Sequence, residues 1–361
     1  MYLTNFHSIR PKYEGLQDES LVWLEKAYEK AGHSPLVLQE IQRVGCKSSA
    51  IEKRGTVLYD YLHLEWEKMD IYKIGHLDPG ANLKERMLRF GLEAEKILDL
   101  FYENETSAPD DLIHITCTGY VSPSAAQSLV SKKNWPTLVT HAYHMGCNGA
   151  FPALRMARGF LASSASKQRI DLVHTEICSL HSNPLNPRLD QIVCQTLFAD
   201  GFIRYEMKKE SALSCLEIIN IHETIIPDSL ESMRWDISSY NFEMKLAKEL
   251  PVQIAKALPQ FLEKLEVDKW MKDAIFAIHP GGPKILQQIQ KRLNLQDEQI
   301  RHSVHVLKNA GNMSSATVPH IWKNILEDPT VKNDTPIVSL AFGPGLTICG
   351  ALLIKKCGGQ L

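Results

Sequence analysis

The sequence predicts an α/β protein, because strand-like and helix-like segments alternate along most of the chain. Short runs with strand character occupy residues 112–116, 138–143 and 170–177. Apolar residues recur at helical spacing in residues 20–31 and 81–102. Each strand-like run leads into a loop or a helix start, which is the order of elements in layered α/β folds.

The second half of the chain continues this alternation less regularly. Residues 274–278 form a short apolar run, and strand character returns at residues 336–340 and 346–354. Two helices have predicted apolar stripes. The stripe of the 81–102 helix contains Leu83, Met87, Leu88, Leu92 and Ile97, and that of the later helix contains Ile285, Leu286, Ile289 and Leu293.

Composition limits the class of function. The chain has 361 residues, of which 44% are hydrophobic and 23% are charged, an ordinary balance for a globular protein. Its formal net charge of −2 provides no basic field for nucleic acid, which we therefore do not expect as a partner. The length suggests two domain-sized units, an N-terminal half of 1–205 and a C-terminal half of 206–361 that share one core.

The cysteines and the apolar runs predict the compartment. Eight cysteines are scattered without a C-x-x-C pair, which indicates reduced thiols and predicts no metal site. No run approaches the roughly 20 apolar residues needed to cross a membrane, and the first residues lack the pattern of a signal peptide. We expect a cytoplasmic protein that does not interact with a membrane.

The strongest local motif surrounds Cys147. A strand-like run ends at Gly146, Cys147 follows, and a helix begins with small residues and Pro152. A cysteine at the start of a helix lies near free backbone N–H groups and the positive end of the helix dipole, which favour the thiolate. A lone cysteine at such a joint is more often an inert core residue.

Two further segments offer polar side chains at the ends of elements. His279 ends a strand-like run and enters Pro-Gly-Gly-Pro, a rigid turn, where it is either an acid/base group or a core histidine. Asn312 precedes Ser314 and Ser315 at an apparent helix start, where helix capping is the simpler interpretation. Together with Cys147 they form a plausible set, since a cysteine nucleophile needs a base and an enolate oxygen needs hydrogen-bond donors.

Five ordered segments resemble the chalcone-synthase-like, or type III polyketide synthase, branch of the thiolase-fold ketosynthases. They span most of residues 112–354. The segments are Gly146-Cys147, Leu197-Phe198-Ala199-Asp200-Gly201, Ile278-His279-Pro280-Gly281-Gly282-Pro283, Gly311-Asn312-Met313-Ser314-Ser315-Ala316 and Phe342-Gly343-Pro344-Gly345-Leu346-Thr347.

The resemblance implies a homodimer of duplicated, five-layered αβαβα subunits with a Cys-His-Asn site at the bottom of a tunnel. Cys147 would carry an acyl group, while His279 and Asn312 would hold the carbonyl oxygen of the second thioester. No cofactor is implied, because coenzyme A or the phosphopantetheine of an acyl carrier protein brings the acyl groups. The substrate-binding residues that we expect are Phe198, Phe242, Cys194, Thr118, Ser314, Gly343 and Pro344.

The tunnel mouth departs from the plant enzymes of this family. Arg43 and Lys47 match two basic positions that grip pantetheine phosphates or a carrier protein, but Glu40 replaces the third. The sequence therefore leaves open whether coenzyme A or a carrier protein is the donor. For Arg43 and Lys47 themselves, an ordinary solvated helix face is the alternative interpretation.

Other departures indicate the substrate. Cys194 replaces a glycine, which is expected to narrow the cyclisation cavity, and Cys117-Thr118-Gly119 replaces Thr-Thr-Ser-Gly. The short N-terminus and residues 198–204 look more like bacterial stand-alone ketosynthases that join two acyl chains and form α-pyrones, such as those of the photopyrone, myxopyronin and corallopyronin pathways. In that subgroup a glutamate of the dimer mate is expected to help deprotonate the second substrate; Glu105 or Glu103 is the candidate.

Two other functions remain open at this point. The same three residues serve an iterative type III polyketide synthase that extends a starter with malonyl-CoA. A non-catalytic thiolase-fold partner is disfavoured, because such proteins usually lose the nucleophile and Cys147 is present.

Overall fold

The computed structural model describes residues 1–74 and 80–358 as an α/β protein. Its helices are α1 (Gln17–Lys30), α2 (Pro35–Val44), α3 (Leu83–Phe101), α4 (Ala125–Lys133), α5 (Ala150–Ser163), α6 (Leu189–Leu197), α7 (Leu250–Leu265), α8 (Pro283–Leu293), α9 (Asp297–Ala310) and α10 (Thr317–Glu327). Its strands are β1 (Tyr2–Ile9), β2 (Tyr13–Leu16), β3 (Lys53–Thr56), β4 (Asp111–Thr116), β5 (Leu138–Tyr143), β6 (Arg169–Glu176), β7 (Gly201–Lys208), β8 (Cys215–Ile225), β9 (Met233–Ile237), β10 (Phe242–Leu246), β11 (Ile275–Ile278), β12 (Pro336–Gly343) and β13 (Thr347–Lys356).

A nine-stranded mixed sheet joins the two halves of the chain in the order β11-β12-β13-β8-β1-β7-β6-β4-β5. The pairs β4–β5, β4–β6 and β11–β12 are parallel, and the remaining neighbours are antiparallel. Parallel strands present their carboxyl ends at a common edge, where loops carry functional groups. Cys147 follows β5 and His279 follows β11, so each lies just beyond the carboxyl end of a strand that has a parallel neighbour. Strands β5 and β11 themselves are the two end strands of the sheet and run in opposite directions.

The strand predictions agree with the structure to within a few residues. The predicted strand 138–143 has the bounds of β5, and the runs at 112–116, 170–177 and 274–278 correspond to β4, β6 and β11. Strands β12 and β13 extend past the predicted 336–340 and 346–354. The α/β prediction and the thiolase-fold prediction are both confirmed, with a large mixed sheet and helices on both sides.

The predicted helix at 81–102 is α3, but its predicted apolar stripe is partly wrong. Leu88 and Leu92 are 61% and 60% exposed, whereas Phe90 and Ala94 are buried. The buried face continues through Ile97, Leu98 and Phe101, a spacing of three to four residues that begins at Phe90. Leu88 and Leu92 are one helical turn apart and apolar, so periodicity alone assigned them to the buried side, although they are exposed.

The centre of the protein is formed by α5 and α10. Trp322 of α10 packs edge-on against Phe151 of α5, with ring centroids 5.8 Å apart, and against Tyr205 of β7. The indole N–H donates to Ser339 Oγ of β12 at 2.8 Å, so this wholly buried tryptophan has no unpaired polar atom. This packing fixes the amino end of α5, directly after Cys147.

The predicted division at residues 205/206 falls inside β7, which pairs with both β1 and β6. The two halves therefore share hydrogen bonds as well as a core. Among the described residues, no helix is long and apolar enough to cross a bilayer.

Candidate active site

Cys147 lies in the loop that joins β5 to α5, as the sequence predicts. This loop turns sharply, with positive φ at His144 (61°) and Gly146 (89°). A Cβ atom on Gly146 would lie 2.2 Å from Pro344 Cδ, so only glycine allows this backbone and this approach. Pro344, predicted to border the pocket, thus packs directly against the residue before the thiol.

The thiol of Cys147 is buried, and this changes the expected charge state. Burial raises its pKa to about 12, although the hydroxyl of Ser314 acts in the opposite direction. The start of a helix contributes at most about 2 kcal/mol, or roughly 1.5 pKa units, which does not offset such a rise. The expectation that the loop position favours the thiolate is therefore wrong: burial outweighs the helix start and favours the neutral thiol.

The carboxylate of Glu176, at the end of β6, organises the floor around this thiol. It accepts hydrogen bonds from the backbone N–H of Cys117 and of Ser315, and from the hydroxyls of Thr118 and Ser315. Burial raises the pKa of Glu176. One side chain therefore connects β6, the loop after β4 and the turn before α10.

Asn312 and Ser314 occupy that turn. Ser314 Oγ lies 3.9 Å from Cys147 Sγ, and Ser314 N–H donates to Asn312 Oδ1 at 2.9 Å. This bond fixes the amide of Asn312 and leaves its Nδ2 group as the donor side. The predicted alternative, helix capping, does not apply, because α10 begins at Thr317 without a side-chain cap.

His279 is buried at the end of β11 and has an unusual environment. Burial lowers the pKa of His279 to about 3, so the imidazole is neutral at pH 7. Neither ring nitrogen has a hydrogen-bond partner among the described residues. Gly281 lies beside the ring, since a Cβ atom added to Gly281 would lie 3.8 Å from His279 Nε2. A buried unpaired imidazole costs free energy, so its presence calls for an explanation such as a ligand group.

A cavity with about 910 Å³ of empty volume, open mouth included, contains the Cys147 thiol. Five residues that the sequence assigned to substrate binding line it together with Cys147: Thr118, Cys194, Phe198, Phe242 and Ser314.

The phenylalanines are held by defined contacts. Asn312 N–H donates to Leu197 O, and Ala199 N–H donates to Asn312 O, so the backbone on both sides of Phe198 is tied to Asn312. Phe242 stacks on His181 with centroids 4.4 Å apart, and its N–H donates to His181 Nδ1. These contacts connect the cavity wall with the Asn312 turn.

Gly343, the other residue expected to border the pocket, packs behind the nucleophile loop. A Cβ atom on Gly343 would lie 2.0 Å from Asn148 Oδ1, so the end of β12 touches the residue after Cys147. Gly343 and Pro344 therefore support the loop from outside the cavity lining.

Arg43 and Lys47 lie at and just beyond the end of α2, outside the cavity lining. Arg43 is exposed and paired with Glu40, while the Lys47 ammonium donates to the backbone oxygen of Gln42. Glu40, the residue that interrupts the basic motif, thus also forms an ion pair with Arg43. An exposed pair of this kind is weak and can open for a phosphate.

Glu105 lies in an ion-pair cluster of its own chain. Its carboxylate accepts from Arg204 at 3.0 Å and from Ser107 Oγ at 2.9 Å, and Arg169 lies 3.4 Å away. Burial acts to raise its pKa, but Ser107 and the two arginines lower it to about 2. Glu103 is exposed on the same turn. Action of either residue in a dimer mate stays a prediction.

Two residues of the site were not predicted from the sequence: Trp235, which lines the cavity, and Glu176, which lies behind the lining and organises it. Glu176 ends a predicted strand, and a polar residue at that place was an available signal. Trp235 lies on β9, and its indole N–H donates to Cys117 O at 2.7 Å. No sequence pattern around Trp235 indicates a place in the site. Among residues 1–74 and 80–358, no group of histidines, cysteines and carboxylates is arranged to hold a metal.

The fold defines a condensing enzyme of the transferase class, built on the thiolase architecture. The chain belongs to the chalcone and stilbene synthase family: the model of the N-terminal domain of these synthases matches residues 22–204, and that of the C-terminal domain matches residues 217–356. It is thus a type III polyketide synthase-like enzyme.

Solved structures agree with this assignment at the level of the fold. The C-terminal type III polyketide synthase domain of Steely1 from Dictyostelium has a TM-score of 0.82 and 22% identity, with 98% of this chain and 99% of that chain covered. PKS-I from the brown alga Ectocarpus siliculosus gives 0.84 and 20%, with 98% of each chain covered. The 1,3,6,8-tetrahydroxynaphthalene synthase of Streptomyces coelicolor A3(2), a bacterial type III polyketide synthase, gives 0.82 and 20%, with 99% of each covered.

The charge state of Cys147 can be tested by alkylation. Because burial raises its pKa to about 12, the thiolate fraction should grow about tenfold per pH unit through the neutral range. We expect the rate of iodoacetamide labelling at Cys147, measured by peptide mass spectrometry, to rise steadily from pH 7 to pH 10. A plateau below pH 8 would contradict a buried neutral thiol and indicate a preformed ion pair.

The role of Glu105 can be tested by unfolding. Its pKa is lowered from 4.5 to about 2 in the folded state, so it stabilises the protein above pH 4.5 and loses this effect as the pH falls towards 2. Glu105→Gln should unfold at lower urea concentration than wild type at pH 7, and the gap should narrow between pH 4.5 and 2. Exposed Glu103→Gln is the control, and an equal loss there would refute the assignment.

Proposed function

We propose that this enzyme joins two acyl thioesters, at least one of them a β-ketoacyl thioester, and that the product closes to an α-pyrone. The observation that carries the proposal is the buried His279 at the carboxyl end of β11, whose two ring nitrogens lack hydrogen-bond partners among the described residues. A thioester carbonyl oxygen is a suitable acceptor for a neutral imidazole N–H.

The first step transfers an acyl group to Cys147. The thiol sulfur attacks the carbonyl carbon of the first thioester, the carbonyl–sulfur bond to the carrier breaks, and the thiol proton ends on the departing carrier thiol. Since burial favours the neutral thiol of Cys147, it needs a base during attack, and neutral His279 is our candidate. Coenzyme A or an acyl carrier protein is the carrier, and no resident cofactor takes part.

The second step forms the carbon–carbon bond. With the β-ketoacyl group on Cys147, the α-carbon of the second acyl thioester attacks the Cys147-bound carbonyl as its enolate, and the proton that it loses ends on the released cysteine sulfur. The Nδ2 group of Asn312 and an N–H of His279 stabilise the enolate oxygen. The joined chain is a 3,5-dioxo thioester, whose enol oxygen on C5 attacks the thioester carbon, closing a six-membered lactone and freeing the second carrier thiol.

An iterative type III polyketide synthase is the second candidate, and the comparisons support it equally. Two of the three solved structures are described as type III polyketide synthases and the third as PKS-I, and the family models match both halves of this chain. Pyrone formation is supported by the departures around Cys117 and Cys194, both of which line the cavity. The contacts of Glu105 within its own chain give no support to a base supplied by a dimer mate.

Substrate competition distinguishes the two candidates. Incubation with a β-ketoacyl thioester should place one β-ketoacyl group on Cys147, seen by mass spectrometry of the intact protein. Addition of a medium-chain acyl thioester should then give a product that combines both chains. Cys147→Ala should abolish both signals and His279→Ala should lower turnover about 100-fold or more, while Cys357→Ala serves as the matched control outside the cavity.

Two results would overturn the assignment. Product formation by Cys147→Ala would exclude the covalent mechanism. Repeated extension with malonyl-CoA, with the β-ketoacyl thioester left unconsumed, would establish the iterative candidate instead.

We also propose that the enzyme is a homodimer that associates through β5. This strand ends the large sheet, so its outer edge has no strand partner in the described chain, and Leu138 is 59% exposed there. Sedimentation should give twice the 40.8 kDa of one chain. Leu138→Lys should weaken association, whereas Leu213→Lys, equally exposed in the loop after β7, should not. A monomeric wild type would refute the proposal.

A further inference from the structure

A second cavity lies between the carboxyl end of β1 and helices α9 and α10, with about 820 Å³ of empty volume, open mouth included. Among the described residues its lining shares only Gly55 with that of the Cys147 cavity, so the two are separate sites. Polar side chains from three parts of the chain line it, and the proposed condensation uses none of them. They are Ser8 and Arg10 from the end of β1 and beyond, His305 and Asn309 from α9, and His320, Lys323 and Asn324 from α10.

The charges of this lining leave the second cavity cationic. In the described part of the chain, the lining has two cations, Arg10 and Lys323, and one carboxylate, Asp200. Asp200 is only 1% exposed, and it accepts hydrogen bonds from Val57 N–H and from the N–H and hydroxyl of Ser179. Because Val57 and Ser179 lie outside this lining, the charge of Asp200 is held within the wall rather than towards the cavity.

Both cations have carboxylate partners that are themselves exposed to solvent. Arg10 Nη1 lies 2.9 Å from Glu14 Oε1, and Lys323 Nζ lies 2.6 Å from Glu327 Oε2. Glu14 also pairs with Lys53, so it keeps a partner when Arg10 turns towards the cavity. Exposed pairs of this kind are weak, so they exchange readily for a ligand that accepts several charge-assisted hydrogen bonds at once.

His320 indicates which anion fits the second cavity. Its Nδ1 lies 2.8 Å from Ala316 O, and since a carbonyl oxygen only accepts, Nδ1 carries the ring hydrogen. Burial lowers the pKa of His320 to about 4, and the charges of Lys323 and Arg10 act in the same direction. The ring is therefore neutral at pH 7, and its Nε2 lone pair has no hydrogen-bond partner among the described residues. A monoprotonated phosphate group has a hydrogen to donate to that lone pair, whereas a carboxylate or sulfate at pH 7 has none.

We propose that the second cavity binds the phosphate group of a small molecule, at a site separate from that of condensation. Arg10 and Lys323 hold the negative charge, and His320 Nε2 accepts the hydrogen of the monoprotonated phosphate. Ser8 and Asn324 line the same cavity and provide a hydroxyl and an amide donor for the remaining oxygens. The proposal is independent of the proposed function, because no acyl thioester takes part in it.

The test titrates the full chain with inorganic phosphate, sulfate and malonate at pH 7 and measures each affinity by isothermal titration calorimetry. Wild type should bind phosphate at one site, and it should bind sulfate and malonate about tenfold more weakly, because neither has a hydrogen for His320. Arg10→Gln and Lys323→Gln should each weaken phosphate binding about tenfold, since each removes a charge-assisted hydrogen bond. His320→Phe should weaken phosphate binding and abolish the preference over sulfate, and circular dichroism confirms that each variant is folded.

Lys256→Gln is the matched control, because Lys256 is an exposed cation of α7 that lies outside the lining, and it should leave phosphate binding unchanged. Arg43→Gln tests the other basic site, at the end of α2, and should also leave it unchanged. Undiminished affinity in folded Arg10→Gln and Lys323→Gln, or a loss in Arg43→Gln or Lys256→Gln instead, would overturn the proposal. Equal binding of phosphate and sulfate by wild type, tighter binding of malonate, or no binding of phosphate at millimolar concentration would also overturn it.

Discussion

The arrangement of the candidate site depends on one buried carboxylate, that of Glu176. It is the common acceptor for two backbone N–H groups and for the hydroxyls of Thr116, Thr118 and Ser315, which come from the end of β4, the loop after it and the turn before α10. Without it the backbone N–H groups of Cys117 and Ser315 would remain unpaired, at a cost of about 1–3 kcal/mol apiece. Ser314, which contacts the Cys147 thiol, is the neighbour of the bonded Ser315, so Glu176 helps to fix the turn against which the thiol packs.

The groups proposed to carry the chemistry are buried and neutral. Burial favours the protonated thiol of Cys147 and the uncharged imidazole of His279, because a charge on either would have to be solvated by the protein alone. In the proposed mechanism charge therefore appears only during reaction, on a substrate oxygen or on sulfur. The proposed donors of His279 and Asn312 would then act with little screening by water, so that a few fixed donors suffice.

The sequence indicated the parts of this site that have local signatures. A glycine before a cysteine at the start of a helix predicted the β5–α5 loop, and the bounds of β5 were predicted correctly. The apolar stripe of α3 was assigned partly to the wrong face, since Leu88 and Leu92 satisfy helical spacing as well as the buried Phe90 and Ala94 do. Periodicity identifies a helix, whereas tertiary contacts decide which of two apolar stripes is buried.

Features assembled from distant segments had no such signature. Glu176 is a single glutamate at the end of a strand, and its role exists only because Cys117 and Ser315, 198 residues apart (315 − 117), approach it from two sides. The charge state of Cys147 was mispredicted for the same reason. Its helix start was visible in the sequence, but the burial that outweighs the dipole exists only once the chain is folded and distant segments, such as the turn at Ser314, pack beside the thiol.

The cavity wall bears on how two acyl chains could be joined in one site. In the proposed reaction the first chain stays attached to Cys147 while a second thioester brings its α-carbon to the same carbonyl, so both chains must share the space beside Phe198 and Phe242. Arg54 donates to the backbone oxygens of Gln195 and Phe198, so this wall requires no desolvation of unpaired groups when an apolar chain lies against it. In the same proposal the narrowing expected from Cys194 limits the room for further extension, which favours a single joining step over repeated growth.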